Sequence, residues 1–334
     1  MNIIIPMAGR GSRLRPHTLT TAKPLVPVAG KPIVEWLVAD LMELCPEKVD
    51  QIGFVIGDFG QEVENNLLAV AERLGAKGRI FYQDKPLGTA HAIMCAAELL
   101  DGPTVVAFAD TLFKADYHIQ TEEEGVIFVQ KVEDPRAFGV VKLSEDGYIT
   151  DFVEKPETFV SDLAIIGIYY FKDGPAIRSE MQYLLDNDLK SKGEYQLTDA
   201  MESLKKKGKK FVPGQVQEWL DCGNKNATVY TNQRMLEIKM PQSSIDETAV
   251  IDNSTIIAPC YIGPRVTIRQ SVIGPHVSIG EGTSLLNCVI SNSIIQKNSH
   301  LQSAVAENSM VGSHVEYQCR PKDWSIGDYT QIKE

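Results

Sequence analysis

Up to about residue 235, short continuous apolar runs alternate with stretches whose apolar residues recur at helical spacing. The runs Asn2-Ile3-Ile4-Ile5, Ile52-Gly53-Phe54-Val55-Ile56, Val105-Val106-Ala107-Phe108-Ala109 and Val126-Ile127-Phe128-Val129 predict buried strands. Residues 33–44, 61–74 and 90–100 predict amphipathic helices. This alternation predicts an α/β layer around a mostly parallel sheet. Ligands of such sheets gather at the carboxyl ends of the strands. The glycine-bearing loop after residues 2–5 and Asp110 after residues 105–109 both fall at such ends. Two segments distant in sequence are therefore candidates for one site.

Past residue 240 the spacing changes. Met240-Pro241-Gln242-Ser243-Ser244 reads as a linker, and beyond it apolar residues return about every six positions: Val250, Ile256, Ile262, Ile268, Ile273, Ile279 and Leu285. Ile262, Ile273 and Ile279 are each followed by glycine. A six-residue period predicts a parallel β-helix, with about three hexapeptides per coil. One coil cannot bury its own face, so coils stack. Residues 246–315 leave room for about four coils. The pattern loosens after Leu285 to the pairs Val289-Ile290 and Ile294-Ile295, and Trp324–Tyr329 is expected to cap the stack. The expected domains are 1–238 and 239–334.

Composition narrows the function classes. The 334 residues carry a formal charge of −11, which argues against non-specific binding to nucleic acid or an anionic membrane. None of the six cysteines forms a C-x-x-C pair, so neither a zinc site nor a redox motif is expected. No apolar run approaches the roughly 18 residues that span a bilayer, and Met1 leads straight into a strand rather than a signal segment. A cytoplasmic location is the expectation.

The loop Met7-Ala8-Gly9-Arg10-Gly11-Ser12-Arg13-Leu14-Arg15-Pro16 holds the first candidate chemistry. Glycines let backbone N–H groups turn toward an anion, and Arg13 and Lys23 add positive charge to an acidic chain. Leu14 stands where a dinucleotide fingerprint needs its third glycine, and the Gly-Lys-Ser/Thr of a P-loop is absent. The loop resembles the G-x-G-[ST]-R-[LF]-x-P signature of the sugar-1-phosphate nucleotidyltransferases (NDP-sugar pyrophosphorylases). Lys23-Pro24-Leu25-Val26-Pro27 resembles their K-P-[LM]-[LV]-P.

The resemblance covers residues 1–235 and implies a Rossmann-like, mixed, mostly parallel sheet, followed here by a short left-handed β-helix. It assigns the triphosphate to Ala8, Gly9, Gly11, Ser12 and Arg13, with Lys23 on phosphate; Ala8 stands where many members have glycine, and Arg10 adds charge at a variable place. Gln83-Asp84-Lys85-Pro86-Leu87-Gly88-Thr89-Ala90-His91-Ala92 resembles the base-recognition segment. There Gln83 offers a donor and an acceptor, Gly88 permits close approach, and Thr89 is also a candidate helix cap. Asp110 and Asp221, the latter in Trp219-Leu220-Asp221-Cys222-Gly223, match the two carboxylates that hold Mg²⁺. Val153-Glu154-Lys155-Pro156, Gly139 in Phe138-Gly139-Val140-Val141 and Gly167 in Ile166-Gly167-Ile168-Tyr169 match the sugar-phosphate side.

The implied reaction joins an NTP and a hexose 1-phosphate into an NDP-sugar and pyrophosphate, with UTP or dTTP and glucose 1-phosphate favoured. Arg13, Lys23, Asp110 and Asp221 would carry the catalysis. The attacking phosphate is already an anion, so the task is positioning and charge stabilisation. The alternatives are mannose-1-phosphate guanylyl transfer or another base and sugar, a silent regulatory subunit, and a bifunctional enzyme whose β-helix transfers acyl groups through His276, His300 or His314. A nicotinamide dehydrogenase is disfavoured by Leu14. A homo-oligomer formed through the β-helix is expected from fold analogy.

Overall fold

The computed structural model describes residues 1–9, 11–116, 118–320 and 323–331. Its contacts divide the chain into two compact units, Met1–Val26 with Lys31–Ala227 and Pro27–Gly30 with Thr228–Glu334.

The first unit is an α/β layer. Its elements in chain order are β1 (Asn2–Pro6), α1 (Ile33–Leu44), β2 (Gln51–Ile56), α2 (Gln61–Arg73), β3 (Lys77–Tyr82), α3 (Thr89–Met94), β4 (Thr104–Ala107) and β5 (Thr111–Lys114). Then follow β6 (Gly125–Lys131), β7 (Gly139–Leu143), β8 (Ile149–Glu154), β9 (Leu163–Phe171), α4 (Gly174–Asp186), α5 (Leu197–Lys206), β10 (Val212–Gln215) and β11 (Glu218–Asp221). The sheet runs β8-β7-β9-β4-β1-β2-β3, with β6 against β9 and β10 against β6. β1 is parallel to both β2 and β4, whereas β9 is antiparallel to β4 and β6. β1 is buried along its whole length, as a central parallel strand covered on both faces must be. Ala90 of α3, Ile177 of α4 and Met201 of α5 join Ile4, Val55, Val106 and Ile127 of the sheet in one core.

The helix expected over 90–100 stops at Met94 and resumes as a single 3₁₀ turn, Ala97–Leu99. The apolar run 105–109 also leaves the sheet early. β4 ends at Ala107, and Phe108 donates its N–H to the Gly167 carbonyl at 2.9 Å.

The second unit contains a left-handed parallel β-helix of three sheets with five, five and four strands. Ile268, Leu285 and Leu301 stack in register as one inward column, Ile273 and Ile290 as a second, Ile262, Ile279 and Ile295 as a third. Val250 is a correction: it points outward, and Ile251 pairs with Ile268 in the inward register. The apparent loosening after Leu285 has a simple cause. Ile268 pairs with Leu285 but Leu285 with Leu301, so the coil shortens from 17 residues to 16. The segment Trp324–Tyr329 does not seal the stack as a buried cap would; Trp324, Ile326 and Tyr329 are exposed and form no strand.

The division by contacts falls at the start of the last helix ahead of the β-helix. Helix α6 (Lys225–Lys239) falls almost wholly in the second unit. Its fully buried Asn232 accepts from the Ala29 N–H at 2.9 Å and the Ser278 hydroxyl at 2.7 Å, and donates to the His276 carbonyl at 3.3 Å. Glu237 pairs with His276 Nε2 at 2.9 Å. A buried amide left without these partners costs free energy, so the helix is committed to that unit. Among the described residues no helix is long and apolar enough to cross a membrane.

Candidate active site

A cleft of about 370 Å³ opens in the first unit at the carboxyl ends of β1 and β4. Its walls include Ala8, Gly9, Gly11, Ser12, Arg13, Lys23, Gln83, Gly88, Thr89 and Asp110, so the residues expected on the nucleotide side meet in one place. Arg10 lies outside the described residues.

The loop is shaped by its neighbours. Met7 donates to the Val55 carbonyl at 2.8 Å as the chain leaves β1. Gly11 adopts φ 59, the left-handed region, and its carbonyl accepts from the Thr18 hydroxyl at 2.7 Å. A Cβ at Gly11 would lie 2.7 Å from Lys23 Cβ, so only glycine lets the loop pass this close to the lysine stem. Buried Leu14 pins the following 3₁₀ turn and leaves Ser12 and Arg13 exposed on the cleft wall. At Gly9 nothing lies within 4 Å of a notional Cβ, leaving the backbone open to a ligand.

Lys23 is buried, and its ammonium pairs with Asp110 Oδ2 at 2.9 Å. Asp110 follows β4 by three residues; β5 then pairs antiparallel with β11, setting Thr111 opposite Asp221. The Cys222 N–H donates to the Asp110 carbonyl at 3.0 Å. This two-strand ribbon brings two aspartates distant in sequence side by side. Burial first, then the neighbouring Asp110 carboxylate, raise the pKa of Asp221, against the pull of the Gly223 N–H, Lys23 and Arg13. The two neighbouring carboxylates, with Asp110 on the cleft wall and Asp221 beside it, are a hard-oxygen donor set of the kind Mg²⁺ takes, completed by phosphate and water oxygens. Among the described residues no larger acidic or His/Cys cluster competes with it.

Gln83 follows β3, and its side-chain NH₂ donates to the Gly88 carbonyl at 3.3 Å and lies 3.1 Å from His91 Nδ1. Gly88 has φ 118, and the place of its Cβ is filled by the backbone of Tyr195 at 2.5 Å, so that packing requires a glycine. Thr89 does not cap α3. Its hydroxyl accepts from the Leu197 N–H at 2.9 Å and donates to Gln196 at 3.2 Å.

Asp221, Gly139, Glu154, Lys155 and Gly167 do not line this cleft. Gly139 and Glu154 face each other across the β7–β8 pair. Lys155 takes φ 43, donates its N–H to the Phe138 carbonyl at 3.0 Å, and places its ammonium 3.5 Å from Glu154 Oε1. Gly167, at φ 86, sits beside Phe108, which does line the cleft. Buried Tyr169 connects the two regions: burial, then the Glu154 and Asp110 carboxylates, push its phenol pKa up. Sequence reasoning missed Phe108 and Glu194 on the cleft wall. It also missed Lys192, whose ammonium donates to the Lys155 carbonyl at 2.5 Å, and Thr198, whose buried hydroxyl has no partner among the described residues. Glu194 and Lys192 sit in a polar inter-helix stretch with no periodic or motif signal.

The sequence model of the nucleotidyl transferase family matches residues 2–238. The chain belongs to that family. It is 29% identical to the low-salt glycan biosynthesis nucleotidyltransferase Agl11 of Haloferax volcanii, over 100% of both chains. It is 30% identical to a glucose-1-phosphate thymidylyltransferase of Streptomyces antibioticus, over 100% of this chain and 99% of that one. A solved structure described as a putative glucose-1-phosphate thymidylyltransferase from Bacillus anthracis superposes with a TM-score of 0.60 at 25% identity, covering 73% of this chain and 97% of that chain. The protein is thus an enzyme, a sugar-1-phosphate nucleotidyltransferase that forms an NDP-sugar.

Proposed function

We propose that the enzyme joins UTP or dTTP to glucose 1-phosphate, releasing pyrophosphate. The observation that carries this reading is the convergence, at one cleft, of the glycine loop, the buried Lys23 and Asp110, with Asp221 brought next to Asp110 by the β5–β11 ribbon. The loop amides of Ala8, Gly9, Gly11 and Ser12, with Arg13, hold the triphosphate. Gln83 reads the base, with Gly88 and Thr89 completing that wall. Lys155 and Glu154, with Gly139 and Gly167, take the sugar phosphate.

A phosphate oxygen of the sugar 1-phosphate attacks the α-phosphorus in line, and the bond from that phosphorus to the bridging oxygen breaks. Arg13 and Lys23 stabilise the charge that builds on the transferring phosphoryl group and the leaving pyrophosphate. Asp110 and Asp221 are the residues that would hold Mg²⁺, which supplies charge neutralisation at the phosphates.

The five cysteines other than the exposed Cys319, three of them fully buried, form no disulfide and support a reducing cytoplasmic setting. An exposed row of Val272, Val289 and Val305 in register on one β-helix face supports self-association through that unit. The test is pyrophosphate release from UTP, dTTP, GTP, CTP and ATP against several hexose 1-phosphates, with and without Mg²⁺. UTP or dTTP with glucose 1-phosphate is expected to lead; a different leading pair would overturn the substrate assignment.

A further inference from the structure

We propose that His91 is a positioning residue for base choice: it holds the Gln83 amide in one orientation, so that Gln83 presents only an acceptor to the nucleotide. The inference rests on the reading of Gln83 as the base-contacting residue.

The argument starts from the chemistry of the two groups that Gln83 touches. A carbonyl oxygen can only accept, so the part of the Gln83 side chain 3.3 Å from the Gly88 carbonyl is its NH₂. The same nitrogen lies 3.1 Å from His91 Nδ1. An NH₂ can only donate, so Nδ1 accepts and the ring proton sits on Nε2. Both hydrogens of the amide are then spent inside the protein. The amide oxygen makes no hydrogen bond among the described residues, and the side chain lines the cleft. Burial lowers the His91 pKa, which favours the neutral ring that this arrangement requires.

The backbone keeps the partners in place. His91 is the third residue of α3, and Ala90 beside it is fully buried and donates its N–H to the Tyr195 carbonyl at 3.0 Å. Gly88 is wedged against the Tyr195 backbone. Gln83 itself donates its N–H to the Ile56 carbonyl at 2.8 Å. Neither end of the Gln83–His91 contact can drift without disturbing these bonds.

A lone acceptor discriminates by ring chemistry. Uracil, thymine and guanine carry an imide or amide N–H on the pairing edge, whereas cytosine and adenine present a ring acceptor there. An amide free to turn over could serve either set. A locked one, set opposite that ring nitrogen, pairs with the first set and meets a lone pair in the second, whose exocyclic amino group is the only donor on that edge.

The test is calorimetric binding of UTP, dTTP, GTP, CTP and ATP to the full chain and two variants. The wild-type protein is expected to bind the best of UTP, dTTP and GTP about tenfold or more tightly than CTP and ATP. His91→Leu removes the acceptor and should collapse that ratio to about twofold or less by weakening the favoured nucleotide. His91→Asn returns an amide oxygen near the place of Nδ1 and should restore it. If His91→Leu melts before it can be assayed, His91→Lys carries the same test: it offers a donor where Nδ1 accepts, and the ratio should fall below one. The proposal is overturned if the wild-type ratio is absent, if the Leu or Lys variant keeps it, or if all five nucleotides weaken by one common factor. Pyrophosphate release is scored separately. The expected binding pattern without any release would overturn the transferase substrates and leave the role of His91 supported.

Discussion

Gly11 and Gly139 are both small residues at the proposed site, yet they are small for different reasons. Gly11 stands at φ 59 with Lys23 Cβ only 2.7 Å from where its own Cβ would be. A side chain there meets the rigid root of a buried lysine, in a backbone conformation that strains any L residue. Gly139 has no such conformation; its Cβ would approach Glu154 Oε2 at 2.9 Å, the movable end of a carboxylate. The proposed nucleotide side is thus set by backbone geometry and a buried lysine paired with a half-exposed aspartate. The proposed sugar side is set by longer, partly exposed side chains that can adjust. The first can be preorganised for charge that develops during transfer, while the second can select among sugars by repositioning.

Asp110 is where this contrast is most easily broken, because it belongs to the rigid side and faces Asp221. Asp110→Ala removes one of two facing carboxylates and the partner of the Lys23 ammonium. Turnover should fall by about 100-fold or more. The stability loss should be only about 1 kcal/mol, because the Asp110 side chain is 43% exposed and the pair is screened. Pyrophosphate release, with thermal melts on the same samples, separates the two effects. Turnover within a few fold of wild type would remove Asp110 from the catalytic set.

The two glycines make the contrast quantitative. Gly11→Ala should cost about 1–3 kcal/mol of stability and at least about tenfold in kcat/KM, since the strain falls on the phosphate-holding loop. Gly139→Ala should cost under about 1 kcal/mol and act mainly on the KM for sugar 1-phosphate, as Glu154 swings away. Denaturant titrations and steady-state kinetics on both substrates provide the readouts. Equal losses in the two variants would mean that the sugar side is as rigid as the nucleotide side.

How much of this was legible in the sequence depended on whether a signal is local. The β1 loop announces itself by glycine spacing, and the helix over 33–44 begins and ends where its apolar pattern does. The β-helix is legible through its period, although the spacing alone could not tell Val250 from Ile251, because a one-residue shift exchanges inside and outside. The end of the helix at Met94 was missed because the apolar pattern continues through Ala96 and Leu99, which a 3₁₀ turn buries equally well. Gly88 carries the opposite lesson. Its motif suggested contact with a ligand, and it does line the cleft, but the backbone of Tyr195, far along the chain, also demands a glycine there. The ribbon that apposes Asp110 and Asp221, and the Gln83–His91 contact, arise from tertiary pairing and leave no periodic trace.

Lys155 tests the adjustable side with the smallest expected effect. Its backbone is held at φ 43 by a bond to Phe138, while its ammonium is half exposed and 3.5 Å from Glu154. Such an exposed pair contributes little to stability, so Lys155→Ala, which leaves the left-handed strain as it is, should melt within about 1 kcal/mol of wild type. If the ammonium meets the sugar phosphate, KM for sugar 1-phosphate should rise about tenfold while KM for the nucleotide stays within about twofold. Lys155→Gly relieves the backbone strain but not the lost charge, so it should recover stability and leave the raised KM. A glycine variant that also recovers KM would assign the effect to backbone shape, and the two sides of the cleft would then be built alike.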